Sequence, residues 1–100
     1  MDGDKMSGPL LLVGCGNMGR AMLRGWLDSG FIRADAVHVV EPAASLREEA
    51  GALGVRTHAS AETLDPGFKA EIAIFAVKPQ VMAAVLPAYR PHVAEGATVS

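Results

Sequence analysis

The sequence predicts an α/β fold, a doubly wound parallel sheet, and three observations carry that expectation. Apolar or β-branched runs alternate along the chain with segments patterned as helices. The first of these runs, residues 9–13, is apolar throughout, as a strand buried on both faces requires. A glycine-rich turn then joins it directly to a helical pattern. With 100 residues, 50% of them hydrophobic and 20% charged, the chain has the makings of one domain with a real core. Residues 1–8 are polar and read as a flexible tail, and residues 9–100 as the domain itself.

The elements follow in order. Pro9 and the run Leu10-Leu11-Leu12-Val13 form the first strand. From Met18 to about Ser29, Met18, Ala21, Met22 and Trp26 recur at helical spacing, with Leu23 and Leu27 widening the stripe and Gly30 supplying the stop. This spacing puts Met18, Met22 and Trp26 in the core. Residues 36–40 are a β-branched strand ending at Glu41-Pro42, and residues 43–53, rich in Ala, Leu and Glu, make the second helix up to Gly54. Residues 55–58 suit a short third strand, followed by a helical turn for which Ser60 is the capping residue. Residues 71–77 are the clearest strand after the first. Pro79 opens a further helix that runs to about Leu86, and a last strand begins at Ala97. A sheet of this kind commonly has six strands, so the sequence reads as a domain incomplete at its C-terminal end.

Charge and cysteine usage narrow the function. Nine basic and eleven acidic residues, spread along the chain for a net charge of -2, form no basic patch, which argues against nucleic acid and anionic membrane surfaces as partners. The N-terminus lacks the basic start and apolar centre of a secretory signal, and no apolar run approaches the ~20 residues of a membrane span. A single cysteine, Cys15, has no partner within the chain for a disulfide or a metal set and suits a reducing compartment. The expected location is the cytoplasm. His38, His58 and His92 lack metal-ligand spacing and read as structural.

The chemistry lies in the turn Gly14-Cys15-Gly16-Asn17-Met18-Gly19, a G-x-G-x-x-G pattern between strand and helix. Gly14 permits the tight turn, Gly16 lets a diphosphate reach the backbone, and Gly19 lets the helix pack closely. The helix start then directs free N–H groups and its positive dipole end at the anion. This is the phosphate site of a Rossmann-like fold for a nicotinamide dinucleotide. Cys15 is read as a small residue fitted to a crowded turn, although a helix N-terminus can lower a thiol pKa. Glu41, 22 positions after Gly19, stands where an acidic side chain accepts bonds from the ribose 2′-OH and repels a 2′-phosphate. It favours NADH slightly over NADPH, while Pro42 could turn it away and Ser45 and Arg47 could engage a phosphate.

Ala76-Val77-Lys78-Pro79 closes the fourth strand at the edge where such sheets bind ligands, with Lys78 held extended ahead of the proline. Together with Val13 and the glycine turn, this segment resembles the N-terminal domain of pyrroline-5-carboxylate reductases, over nearly the whole chain. The resemblance implies that Val13, Gly14, Cys15, Gly16, Asn17 and Met18 surround the pyrophosphate of NADPH or NADH. It also implies that Ala76, Val77, Lys78 and Pro79 contact the nicotinamide side and that Ser60 lies near the adenosine. The implied reaction is reduction of a cyclic imine, Δ1-pyrroline-5-carboxylate, to L-proline. Its small-molecule substrate site and homo-oligomer contacts would lie in a C-terminal helical domain beyond residue 100, so no catalytic residue is assigned here. Glu41 departs from the small polar or basic residues frequent at that place in the family. Two other readings remain: a related enzyme, such as a deazaflavin-dependent NADP reductase or a prephenate or β-hydroxyacid dehydrogenase, and a non-catalytic nucleotide-sensing module.

Overall fold

The computed structural model describes residues 9–99, with side chains described through Val93. The tail expected over residues 1–8, and Ser100, lie outside the described residues. In chain order the elements are β1 (Leu10–Val13), α1 (Asn17–Asp28), β2 (Val37–Val40), α2 (Ala44–Gly51), β3 (Arg56–His58), β4 (Ala70–Phe75), α3 (Pro79–Tyr89) and β5 (Val93–Val99). Short 3-10 turns at Ala34–Ala36, Ala61–Thr63 and Arg90–His92 lead into or out of strands.

All five strands pair in parallel, in the order β3-β2-β1-β4-β5. β1 takes the centre because all four of its side chains are apolar, and all four are buried. It pairs from Leu10↔Val37 to Val13↔Val40 on one side and from Leu10↔Ile72 to Val13↔Phe75 on the other. Alternation along the strands then sorts the core into two layers. Leu10, Leu12, Val37 and Val39 pack with Leu23 of α1 and Ala50 of α2. Leu11, Val13, Val40 and Phe75 pack with Tyr89 of α3, joined by Met82, Val85 and Leu86. Helices therefore cover both faces, as the sequence reading expects of a doubly wound sheet. The chain winds outward from β1 through β2 to β3 and then returns to place β4 on the other side of β1. That reversal opens a crevice above the strands' carboxyl ends.

Some boundaries differ from the sequence reading. β5 begins at Val93, not Ala97: Ala70 pairs with Val93 and Ile72 with Thr98, so five positions on β5 face two on β4. That slip, and the polar Glu95 and Gly96 inside the strand, break the period of two that would have revealed it. α3 continues past Leu86 to Tyr89 with Pro87 in its last turn. Tyr89 holds that turn in place by packing edge-on against Phe75, ring centres 5.5 Å apart. Ser60 makes no side-chain cap; the Thr63 hydroxyl instead donates to the Ser60 carbonyl at 2.8 Å. Gly30, at φ +74°, ends α1 as expected, with the Phe31 N–H returning to the Trp26 carbonyl. No described helix is long and apolar enough to cross a membrane.

The histidines are structural, and two of them form a pair. His38 Nδ1 and His58 Nε2 lie 3.1 Å apart, their rings nearly parallel at 14°, with Phe68 tilted against His38. Such a bond needs one ring nitrogen as acceptor, so at least one imidazole must be neutral. Burial holds both below their ordinary pKa; the charges of His58 and Arg56 add to this at His38, and at His58 a backbone bond to Thr63 opposes it. His92 is buried as well, its Nδ1 3.2 Å from the Phe68 carbonyl. Because the unfolded chain takes up protons that the folded pair resists, stability is present above the unfolded histidine pKa of about 6.5 and declines as pH falls below it. The melting temperature should fall between pH 7.5 and 5.5, and less steeply in a His38→Phe variant. Parallel pH profiles for parent and variant would remove the pair as the cause.

Candidate functional site

At the carboxyl end of β1 the chain must leave the sheet and enter α1 within three residues. Gly14 makes this possible. Its φ is +91°, and its N–H extends the sheet by donating to the Val40 carbonyl at 2.8 Å. A side chain at Gly14 would also collide with the neighbouring strand's exit, meeting Val77 Cγ1 at 2.8 Å and the Ala76 carbonyl oxygen at 2.9 Å. Gly19 is fixed by packing in the same way: a Cβ there would lie 2.8 Å from the Gly14 carbonyl oxygen. Gly16 differs from both, since a Cβ at this position would meet nothing within 4 Å. Two glycines of the pattern thus answer to the fold, while packing within the fold does not require the middle one.

Gly16, Asn17 and Met18 are exposed, whereas Gly14, Cys15 and Gly19 are buried. The first hydrogen bond of α1 runs from the Arg20 N–H to the Gly16 carbonyl, so the N–H groups of Asn17, Met18 and Gly19 precede the helix's own ladder. α1 has no acidic residue in its first turn and no side-chain cap. This end of the helix can therefore receive an anion on backbone N–H groups alone. Met18 corrects the sequence reading: it lies in the exposed stretch from Gly16 to Met18 where α1 begins, and is itself 65% exposed. Met22 and Trp26 do pack against the core. Cys15 belongs to the core too, and its thiol pKa is raised by burial first and by the Glu41 charge second, with Arg20 pulling the other way. Desolvation outweighs the opposing Arg20 charge and favours the neutral thiol.

Glu41 is neither solvent-facing nor turned away by Pro42. Its side chain is 7% exposed and folds back over the glycine turn. Oε1 accepts from the Cys15 N–H and Oε2 from the Ala43 N–H, both at 2.8 Å. Arg47 Nη1 donates to the Glu41 and Pro42 carbonyls at 2.8 and 3.2 Å, so this guanidinium is tied to the turn after β2.

Beside the turn runs a groove of about 510 Å³, with Val13, Gly14, Glu41, Ser60 and Val77 among its lining residues. Five residues marked in the sequence therefore meet at one cavity. Ala76 stands behind the turn, its N–H donating to the Val13 carbonyl at 2.8 Å. Lys78 is exposed and extended (φ −65°, ψ 149°), as its place before Pro79 requires, and together they start α3 outside the groove. The sequence reading missed the groove's other wall, where Val81, Ala84, Val85, Ala88 and Tyr89 of α3 line it opposite Pro42 and Ala61. One signal was available: α3 carries a single polar side chain before Tyr89, Gln80, and so has an apolar face left over after packing on the sheet. Glu62 also lines the groove, and its charge adds to burial in raising the Tyr89 pKa to about 12. Among the described residues, Glu41 and Glu62 are the only charged side chains in the lining. Among the described residues no group of three metal-binding side chains comes together.

Known proteins share this architecture. A prephenate dehydrogenase from A. aeolicus, solved with hydroxyphenyl propionate and NAD+, superposes with a TM-score of 0.79 at 19% identity over 94% of this chain and 32% of its own. The pyrroline carboxylate reductase of Plasmodium falciparum, with NADP bound, gives 0.69 at 21% identity over 95% and 33%. A pyrroline-5-carboxylate reductase from Coxiella burnetii gives 0.65 at 23% identity over 80% and 29%. At these identities the likeness is one of fold, and the chain spans about a third of the length of each. No curated protein matches the sequence closely enough to count as a relative. One family model matches residues 10–99, and on that match the chain belongs to the family described as NADP oxidoreductase, coenzyme F420-dependent.

Proposed function

We propose that this chain is the dinucleotide-binding domain of an NAD(P)H-dependent reductase acting on Δ1-pyrroline-5-carboxylate to give L-proline. The observation that carries the cofactor site is Gly16: it has open space where a side chain would sit, directly ahead of the uncommitted N–H groups of Asn17, Met18 and Gly19. A diphosphate fits there, held by backbone and helix dipole at roughly 0.3–1 kcal/mol, and up to ~2 where partly buried. The adenosine half takes the groove, with Glu41 and Ser60 at its polar end and the α3 wall against the base. Bound NAD(P)H supplies the hydride. The chain's own part is to hold the diphosphate, to fix the sugar, and to present the backbone of Ala76 to Pro79 along the nicotinamide side, so that rate enhancement comes through positioning.

Two carboxylates, with no cation among the described lining residues, oppose a 2′-phosphate, and this favours NADH over NADPH. The cyclic-imine substrate is supported by the pairing of the Val13-to-Gly19 turn with Ala76-Val77-Lys78-Pro79. The remainder of the protein would supply the substrate pocket and the contacts of a homo-oligomer. The family description favours a second reading, in which the hydride passes between the nicotinamide and a deazaflavin, coenzyme F420. Both readings use the same dinucleotide site and differ in the partner of the hydride transfer.

The full-length protein should oxidise NADH when pyrroline-5-carboxylate is added, faster than NADPH, and should leave the deazaflavin unreduced. Turnover with the deazaflavin alone would overturn the imine reading in favour of the second. A glycine pair tests the site beneath both. Gly16→Ala should melt at the parent's temperature and bind NADH about tenfold or more weakly, because the new methyl occupies the diphosphate's place. Gly14→Ala should lose about 1–3 kcal/mol of stability from its left-handed backbone and the contacts with Ala76 and Val77. Unaltered NADH affinity in Gly16→Ala would show that the diphosphate lies elsewhere.

A further inference from the structure

An acidic residue at the end of β2 is expected to act on the sugar. Here the carboxylate of Glu41 is already engaged with the protein. Its two oxygens accept two backbone N–H groups from different segments, Cys15 in the turn after β1 and Ala43 at the start of α2, each at 2.8 Å. The side chain is 7% exposed, and the residue's own backbone is fixed on both sides: its N–H donates to the His58 carbonyl at 2.9 Å and its carbonyl accepts from Arg47. Charge-assisted bonds of this kind are roughly twice as strong as neutral ones. Among the described residues, only one of the turn's other amides, that of Gly14, has a strand partner. Past Cys15 the chain is exposed until Gly19.

We infer that Glu41 is a positioning residue that holds the glycine turn in its anion-receiving shape before any cofactor arrives, acting on the diphosphate through the Cys15 amide as well as on the ribose. The inference rests on the cofactor site proposed above. It reverses one expectation of a pure sugar gate. A gate would, on losing its charge, admit the 2′-phosphate and improve NADPH binding. A strut, when cut, weakens NADH and NADPH together, because both place the same diphosphate on the same turn. Each carboxylate oxygen has a second lone pair, so a ribose hydroxyl can still be accepted without releasing the turn.

Cys15 provides a reporter that needs no cofactor, since the residue is 1% exposed within the turn whose amide Glu41 holds. Three variants of the full-length protein would be compared with the parent. Glu41→Ala removes both bonds. Glu41→Gln keeps an acceptor for Cys15 but sets an NH2 against the Ala43 N–H. Ala43→Pro deletes one donor and leaves the carboxylate charge in place, at a backbone φ of −76° that proline already prefers. Circular dichroism and melting establish that each is folded, after which Cys15 alkylation by iodoacetamide is timed in cofactor-free protein and NADH and NADPH affinities are measured by fluorescence.

Glu41→Ala should label Cys15 about tenfold or more faster and bind both dinucleotides about tenfold or more weakly, the scale set by losing charge-assisted bonds. Glu41→Gln and Ala43→Pro should fall between it and the parent. Labelling at the parent's rate in folded Glu41→Ala, or tighter NADPH binding in Glu41→Gln, would overturn the strut. If the parent binds neither dinucleotide, the proposed function falls, while the labelling rates still decide whether Glu41 holds the turn.

Discussion

The close approach of two strand exits governs this molecule. β1 and β4 pair in register up to Val13↔Phe75, and where they end, the turn after β1 passes so near Ala76 and Val77 that no side chain fits at Gly14. The same position requires a left-handed backbone, at φ +91°. Glycine meets both demands at once. With the turn thus pressed against the β4 exit, α1 begins close to the sheet, Gly19 packs on the Gly14 carbonyl, and the helix's first N–H groups are aimed over the edge of β1. Chain reversal after β3 opens the crevice, and this contact sets its floor.

Around that floor the site is assembled from backbone more than from side chains. Gly16 leaves room, Asn17 to Gly19 supply donors, and Glu41 braces the turn from the second strand. The groove alongside is apolar where α3 forms its wall and acidic where Glu41 and Glu62 reach it. An anion and a sugar diol suit such a surface. Preorganisation has an energetic consequence, because amides already held in place need no ordering when the ligand binds.

Much of this was legible in the residues. Leu10 to Val13 mark a doubly buried strand, since nothing in the run is polar, and the glycine spacing places the turn and the packing roles of Gly14 and Gly19. The helix after Lys78-Pro79 and the strand before it were equally plain. What escaped the sequence depended on partners distant along the chain. β5 begins at Val93, ahead of the pattern at Ala97, because a register slip against β4 hides its period. Met18 matches the helical stripe, yet helical spacing says nothing about what covers a helix's first turn, and there Met18 stands 65% exposed. The orientation of Glu41 turned on amides 26 positions before it and two after it, a relation no local pattern encodes. The α3 wall was visible only as an excess of apolar residues, whose purpose emerged once the crevice beside it was known.

The central claim, that bare amides at the start of α1 receive the dinucleotide's diphosphate, is most directly tested by following backbone N–H resonances of the 15N-labelled protein during titration with NADH. The account predicts that Asn17, Met18 and Gly19 shift together and saturate at one concentration, ahead of residues at the far end of the sheet. Saturation by NADH with those three resonances unmoved would contradict it.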